Sequence, residues 1–135
     1  MRKPNDVTVT WAGEHRFEAG RTGGPTVTID ADAAGGPSPV DVLLFALGTC
    51  TAVDVVDILA KRRTPVESLE VQVIGQRKDA VPARVTHLLL TYRIRGAGVE
   101  RVHAERAIEL AVTKYCSVRD SLDPNLPVEW RLELE

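Results

Sequence analysis

The sequence predicts an α+β fold, in which antiparallel strands pack with helices. Several short runs alternate apolar with polar side chains and are rich in β-branched residues, as half-buried strands are. One long apolar run has instead the length and the start signals of a buried helix. No strand is followed by a glycine-rich phosphate-binding turn, which argues against a nucleotide-binding fold. The 135 residues suit a single domain covering residues 1–135.

The N-terminal part of the chain predicts three short strands, at residues 7–13, 15–20 and 25–32. Each is β-branched and ends near a glycine or a charged turn residue, and the turn at 21–24 is too short for a crossover. We therefore expect a three-stranded antiparallel meander. The small residues, glycines and prolines of 32–39 then predict a loop that leads into a helix.

The helix that follows has a clear start. Ser38 suits the N-cap, Pro39 the first helical position, and Asp41 stands three residues after the cap. The helix should run to about Arg63, because Pro65 disfavours helical backbone in the residue before it. Its apolar residues cover more than one face, so it must be buried nearly all round. One sheet in a small domain cannot provide that cover, which predicts a second subunit.

The C-terminal half predicts two longer strands at residues 66–78 and 86–96, then a helix at 99–116. A further helical turn is expected within 117–125. The chain should end with a strand in 126–135, where apolar side chains alternate with charged ones. We expect the pairing of all these strands to be mainly antiparallel.

Composition and charge exclude several classes of protein. The 17 basic and 19 acidic side chains give a formal charge of −2, which does not favour nucleic acid as a partner. No apolar segment follows the basic N-terminus, so neither a signal peptide nor a membrane partner is expected. We expect a cytoplasmic protein. Its two cysteines, Cys50 and Cys116, are too few for a secreted disulfide framework.

The two cysteines are the residues with the clearest chemical potential. Cys50 lies in the apolar helix and by itself is most simply a small buried packing residue. Its neighbours, however, are small and leave room beside the sulfur: Gly48, Thr49, Thr51 and Ala52. Cys116 is expected at a helix terminus, where backbone amides favour a thiolate. Two such thiols suit a redox cycle in which a sulfenic acid condenses to a disulfide, although sequence spacing alone does not bring the sulfurs together.

Two long segments resemble one family of redox proteins. GGPSPVDVLLFALGTCTAVDVVDILAKRR (residues 35–63) and ERAIELAVTKYCSV (residues 105–118) are similar to the osmotically inducible protein C and organic hydroperoxide resistance superfamily (OsmC/Ohr), in particular its OsmC-like branch. The strands WAGEHRF, VTID and THLLLTYRIRG extend the likeness over nearly the whole chain. The resemblance implies an OsmC-like fold, an intertwined homodimer with two antiparallel sheets wrapped around central buried helices.

The resemblance also implies roles for individual residues. Cys50 would be the peroxidatic thiol and Cys116 the resolving thiol, with active sites at the subunit interface. The peroxidase branches also use an arginine from the N-terminal strands, which here is Arg16 or Arg21. They have a glutamate directly after the helix-starting proline, whereas this sequence has Val40 there.

Asp41 is the carboxylate nearest to that missing glutamate. At about 1.5 Å per residue it lies roughly 13 Å along the helix axis from Cys50 and about half a turn round. It therefore either caps the helix or assists catalysis across a dimer. Asp54 and Asp57 also lie in this helix and are expected where it emerges to water or meets a partner charge, although burial of an aspartate there would shift its pKa.

A substrate pocket is expected from four side chains near the two thiols: Phe45, Leu47, Thr49 and Tyr115. The simpler interpretation is that the large side chains among them fill the core. A substrate pocket would require a cavity beside Cys50. The three histidines have no metal-binding spacing with each other or with the cysteines, so no metal is predicted.

Together these features predict a cysteine-dependent peroxidase-like protein. Its substrate would be a small organic hydroperoxide or hydrogen peroxide, its reductant a dithiol or thiol, and its quaternary structure a homodimer. No cofactor is needed, because sulfur carries the redox equivalents. Two alternatives stay open: a protein that binds a small apolar ligand or senses redox state at the same pocket, and one whose cysteines are inert core residues.

Overall fold

The computed structural model describes all residues, 1–135, and shows an α+β protein with two three-stranded sheets. The strands are β1 (Val7–Trp11), β2 (Arg16–Arg21), β3 (Val27–Asp30), β4 (Ser68–Arg77), β5 (Val85–Arg95) and β6 (Val128–Leu134). The helices are α1 (Pro39–Lys61), α2 (Arg101–Leu110) and α3 (Ser117–Asp120), with a π-helical turn at Ala111–Tyr115. The chain forms two compact units, Met1–Leu43 and Leu44–Glu135.

The N-terminal unit contains the predicted antiparallel meander. β2 pairs with β1 on one side and with β3 on the other, so that Phe17 stands opposite both Trp11 and Ile29. The loop after β3 is held by the buried carboxylate of Asp30, which accepts hydrogen bonds from the backbone N–H groups of Asp32 and Gly35, both at 2.9 Å. These bonds fix the path of the chain towards α1.

The start of α1 is the capping box that the sequence predicts. The backbone N–H of Asp41 donates to the Ser38 hydroxyl at 3.2 Å, and the N–H of Ser38 donates to the Asp41 carboxylate at 2.9 Å. Two N–H groups that the first turn would leave without partners are thereby satisfied.

The sheet of the C-terminal unit has the order β4-β5-β6 and is mixed. β4 and β5 are antiparallel, as expected, but β6 runs parallel to β5, with Leu90 opposite Trp130. The prediction of antiparallel sheets is therefore wrong for the last strand. The reason is that α2 and α3 carry the chain from the end of β5 back to the end where β5 began, which a hairpin turn cannot do.

The core of this unit lies between the sheet and the helices. Its buried side chains come from one face of α1 (Leu47, Val55, Leu59), from alternate residues of β5 (Leu88, Leu90, Tyr92, Ile94) and from α2 (Ala104, Ala107, Ile108). The other face of α1 is exposed and still apolar, at Leu43, Phe45, Val53 and Val56. Within one chain, α1 is thus not buried nearly all round as its composition demands.

α1 is also the one helix whose length and hydropathy would allow it to cross a membrane. That composition equally suits the core helix of a soluble domain, and five residues of α1 are fully buried against its own unit: Leu47, Gly48, Thr51, Val55 and Leu59. The strand-facing surface of the helix therefore accounts for part of its apolar character.

Candidate functional site

Cys50 lies near the middle of α1, is half-buried and borders the core. Gly48 brings this part of the helix close to β4, because a methyl group added there would lie 3.1 Å from a methyl carbon of Val73. A larger residue at position 48 would push the helix away from the sheet. The small residues beside Cys50 thus set how closely its helix approaches the strands.

Cys116 is positioned by an unusual piece of backbone. The helix that begins as α2 widens into the π-helical turn, and the N–H of Cys116 closes that turn by donating to the carbonyl of Ala111 at 3.1 Å. Such turns are rare and occur frequently at functional sites. Cys116 then adopts an extended conformation as the N-cap of α3, where its Sγ accepts a hydrogen bond from the N–H of Arg119 at 3.3 Å.

The fold brings the two thiols into interaction, and neither is in a disulfide. Burial raises the pKa of the Cys116 thiol from 9.0 to about 11, against the lowering effect of the Arg119 N–H, and interaction with the Cys50 side chain raises it further. Burial in apolar surroundings disfavours a thiolate at position 116.

Two buried hydroxyl groups, those of Tyr92 and Thr51, lie near the thiols, and sequence analysis missed both. The hydroxyl of Tyr92, on β5, donates to Thr51 Oγ1 at 2.7 Å, and Thr51 Oγ1 lies 3.1 Å from the carbonyl oxygens of both Leu47 and Gly48. Burial raises the pKa of Tyr92 to about 12, the bond to Thr51 lowers it, and the charge of Cys116 raises it again. Tyr92 is thus neutral and close to Cys116.

The sequence places each of these two polar residues on an apolar face, but it does not pair them. Thr51 stands four residues after Leu47 on the core-facing side of the helix, and Tyr92 lies on the apolar face of its strand. A polar atom at either position needs a partner, since buried hydroxyls are nearly always hydrogen-bonded. Only the packing of α1 on β5 pairs them.

Arg119 braces the segment that follows Cys116, and sequence analysis missed it as well. Its guanidinium donates to the carbonyl oxygens of Asp123 and Leu126, both at 3.0 Å, and of Pro124 at 3.4 Å. A planar guanidinium can satisfy several carbonyls of one loop at once. The residue whose backbone N–H binds the Cys116 sulfur therefore also holds the loop between α3 and β6.

A pocket of about 350 Å³ lies beside Cys116. Its lining includes Thr113, Lys114, Arg119 and Val128 as well as Cys116, and does not include Cys50. The four predicted pocket residues lie elsewhere. Phe45 and Tyr115 are 57% and 51% exposed, Thr49 is exposed, and Leu47 is fully buried in the core.

The remaining predicted site residues are in the N-terminal unit. Arg16 stands opposite Asp30 in the β2–β3 register and lies 3.5 Å from the Glu14 carboxylate. The backbone N–H groups of Gly35 and Asp32 lower the pKa of Asp30, and the charge of Arg16 adds to that effect. Arg21 is exposed at the end of β2, and Asp41 caps α1.

Asp54 lies on α1 beyond the thiols, and its pKa is raised, first by burial and then by the charge of Asp57. The pKa rises because burial disfavours the charged form of a carboxylate. For metals, no group of three or more His, Cys, Asp or Glu side chains is arranged so that it could hold a metal ion.

Comparison with known proteins places this chain in a family. The family model described as OsmC-like protein matches residues 30–131, and Protein YhfA of Escherichia coli K12 is 33% identical over 111 residues, which cover 82% of this chain and 83% of YhfA. A hypothetical protein from Aquifex aeolicus VF5 has a crystal structure that matches with a TM-score of 0.88 at 26% identity, over 99% of this chain and 98% of that one.

A more distant structure has the same fold. The organic hydroperoxide resistance protein OhrB of Bacillus subtilis matches with a TM-score of 0.63 at 16% identity, over 98% of both chains. At that identity the likeness concerns the fold alone. The family model covers both cysteines and most of the chain, so the resemblance suggested by the two cysteine segments is confirmed. The chain belongs to the OsmC-like protein family.

Proposed function

We propose that this protein is a thiol-dependent peroxidase that reduces organic hydroperoxides or hydrogen peroxide in the defence against oxidative stress. The observation that carries the proposal is that Cys50 and Cys116, far apart in the sequence, interact in the folded chain. Membership of the OsmC-like family supports it, since a structural relative of the same fold is an organic hydroperoxide resistance protein.

The exposure of the two thiols supports different roles for them. Cys116 is buried and its burial disfavours a thiolate, whereas Cys50 is only half-buried and is more open to a peroxide. The thiolate is the form that attacks a peroxide. Cys50 is therefore the peroxidatic residue and Cys116 the resolving one.

The reaction then proceeds in two steps. The Cys50 thiolate attacks one oxygen of the peroxide, the O–O bond breaks, and the leaving alkoxide or hydroxide takes up a proton to form an alcohol or water. The resulting Cys50 sulfenic acid condenses with the Cys116 thiol, releasing water and forming an S–S bond. A dithiol, or two thiols, in a reducing compartment such as the cytoplasm returns the disulfide to the starting pair. No cofactor takes part in this scheme.

We propose further that the active form is a homodimer. The exposed side of α1 carries Leu43, Phe45, Val53 and Val56, and β1 exposes Val7, Val9 and Trp11. A second copy that covers these side chains would remove a large apolar area from water. In such a dimer the cationic Arg16 of one protomer could reach the thiolate of the other and stabilise it by charge, while Asp41 could assist only indirectly, by pairing with that arginine.

A second candidate is a protein that senses redox state or binds a small apolar ligand without turnover. Two observations favour it. Val40 occupies the position where the peroxidase branches have glutamate, and the charge of Arg16 faces the buried Asp30 of its own unit. A Cys50 thiolate that lacks the activating arginine and carboxylate would be oxidised slowly, and only once, until a reductant restored it.

The test is an intact-mass and free-thiol measurement on reduced protein after one equivalent of cumene hydroperoxide, with Cys50→Ser and Cys116→Ser variants alongside. We expect the wild type to lose two hydrogen atoms and both free thiols, Cys116→Ser to gain oxygen, and Cys50→Ser not to react. Two untouched thiols in the wild type would contradict the proposal. Sustained peroxide consumption with dithiothreitol separates the peroxidase from the sensor, which stops after one oxidation.

A further inference from the structure

Only one of the two cysteines lines the pocket. Cys116 contributes to its wall, whereas Cys50 does not. Its volume of about 350 Å³ falls in the size range of sites for small molecules. A small molecule in this pocket therefore lies against Cys116 and not against Cys50.

The charged residues that line the pocket favour an anionic ligand. Lys114 and Arg119 line it against a single acidic residue, Asp120. Lys114 makes no salt bridge and lies over the ring of Tyr115, 5.5 Å from its centroid, so its charge is not neutralised by a carboxylate. Cations near a thiol favour its thiolate form, which is the form that attacks a disulfide.

The chemistry of exchange points to the same sulfur. A thiolate that attacks one sulfur of a disulfide expels the other, and a sulfur that holds negative charge poorly is a slow leaving group. Cys116 is only 4% exposed, and burial raises the pKa of its thiol to about 11, so its expulsion as a thiolate is unfavourable. Cys50 is half-buried and its charge is better solvated.

From the pocket and the placement of the two sulfurs, we infer that the pocket is the entry site of a small dithiol reductant, which attacks the Cys116 sulfur of the Cys50–Cys116 disulfide. The inference rests on the proposed function. One thiolate of the reductant forms an S–S bond with Cys116, and the Cys50–Cys116 bond breaks, leaving its electron pair on Cys50. The second thiol of the reductant is then deprotonated and displaces Cys116, which takes up a proton, and the reductant leaves as its own disulfide. This second step is intramolecular, so it tolerates the poorer leaving group that would slow the first, intermolecular step.

The first experiment identifies the attacked sulfur. The disulfide is made with one equivalent of diamide, so its formation does not depend on reaction with peroxide. The oxidised protein is treated with 2-mercaptoethanol in the presence of iodoacetamide and quenched with acid. Tryptic peptides 22–61 and 115–119 then report Cys50 and Cys116 separately.

We expect the mercaptoethanol adduct on peptide 115–119 and the alkyl group on peptide 22–61. The reverse labelling would overturn the inference, and so would a failure of diamide to form the disulfide. If diamide forms the disulfide but cumene hydroperoxide does not, the proposed peroxidase function fails while the labelling still tests the reductant site.

The second experiment blocks the pocket. Thr113 is exposed and lines it, so Thr113→Trp should slow reduction of the disulfide by dithiothreitol about tenfold and leave its formation by diamide unchanged. The matched control is Arg106→Trp, at an exposed position on α2 outside the pocket, which should reduce at the wild-type rate. Equal rates for the two variants would overturn the inference.

Lys114→Gln provides a variant that preserves the backbone and volume of the pocket if Thr113→Trp does not fold. We expect it to slow reduction severalfold at low salt and to remove most of the salt dependence of the rate, because the incoming thiolate is no longer attracted by that charge. A rate and salt dependence equal to those of the wild type would count against the inference.

Discussion

Single residues set the chemistry of this site through burial and short contacts. Cys116 is the clearest case, because its sulfur is packed in the core and yet accepts the Arg119 N–H. Burial outweighs this hydrogen bond and raises the pKa of Cys116, so the neutral thiol is favoured in the folded protein. The reduced fold is therefore stabilised at pH values where Cys116 keeps its proton. Cys50 is only half-buried and lies at the edge of the core. The two sulfurs therefore differ in solvation, and the roles proposed for them rest on that difference.

The raised pKa of Cys116 predicts a loss of stability at alkaline pH. In the unfolded chain the thiol ionises near its ordinary value of 9.0, whereas in the folded protein it ionises near 11, so the stabilisation is complete below about 9 and is lost as pH rises towards 11. Between pH 8 and pH 10.5 the reduced wild type should lose on the order of 1 to 2 kcal/mol more than Cys116→Ala. Urea unfolding of both proteins checks it, and parallel pH profiles would contradict it.

The Tyr92–Thr51 pair predicts unequal effects of removing either hydroxyl. Thr51→Val leaves the buried Tyr92 O–H without an acceptor and should cost about 2 kcal/mol, whereas Tyr92→Phe removes the donor itself and should cost about 1 kcal/mol. The double variant should cost less than the sum of the two. Equilibrium unfolding measures all three, and additive losses would show that the hydroxyls do not act together.

Two elements of the fold position the two cysteines. α1 begins with a capping box and presents Cys50 midway along its length, while the π-helical turn after α2 brings Cys116 out of the helix and onto the cap of α3. A regular α-helical turn would have rotated that sulfur to another side. The two elements, rather than the two cysteines alone, bring the thiols together.

The capping box predicts a graded response at the start of α1. Ser38→Ala should cost about 1 kcal/mol in the free energy of unfolding, because the N–H of Asp41 loses its acceptor in the first turn. Asp41→Asn keeps an oxygen acceptor for the N–H of Ser38 and should cost less. Chemical denaturation of the two variants tests the order, which a larger loss for Asp41→Asn would reverse.

At the scale of the whole molecule, large exposed apolar side chains are concentrated on two elements. α1 exposes Leu43, Phe45, Val53 and Val56, and β1 exposes Val7, Val9 and Trp11. Ile74, by contrast, is a single exposed apolar residue on a strand whose outward neighbours are polar. Scattered residues of that kind need no partner, whereas contiguous stretches mark interaction surfaces.

The proposed dimer predicts that a charge in this surface weakens self-association. Phe45→Glu should shift the protein from dimer to monomer in analytical ultracentrifugation and lower its peroxidase activity, because the carboxylate would be buried without a partner. Ile74→Glu, which adds the same charge on the outer face of β4, is the matched control and should remain dimeric. A Phe45→Glu protein that stays dimeric would remove α1 from the interface.

Much of this protein was determined by its sequence, because the relevant interactions are local. The three-stranded meander, the capping box at Ser38 and Asp41, and the helical turn after Cys116 depend on residues within a few positions of each other. The family was visible for the same reason, since its two cysteine segments are contiguous runs. Tertiary structure alone decided the parallel pairing of β6, the approach of Cys116 to Cys50, the Tyr92–Thr51 bond and the pocket that reaches only Cys116. Each of these depends on how helices pack on strands distant in the chain, and no periodicity within one segment specifies that packing.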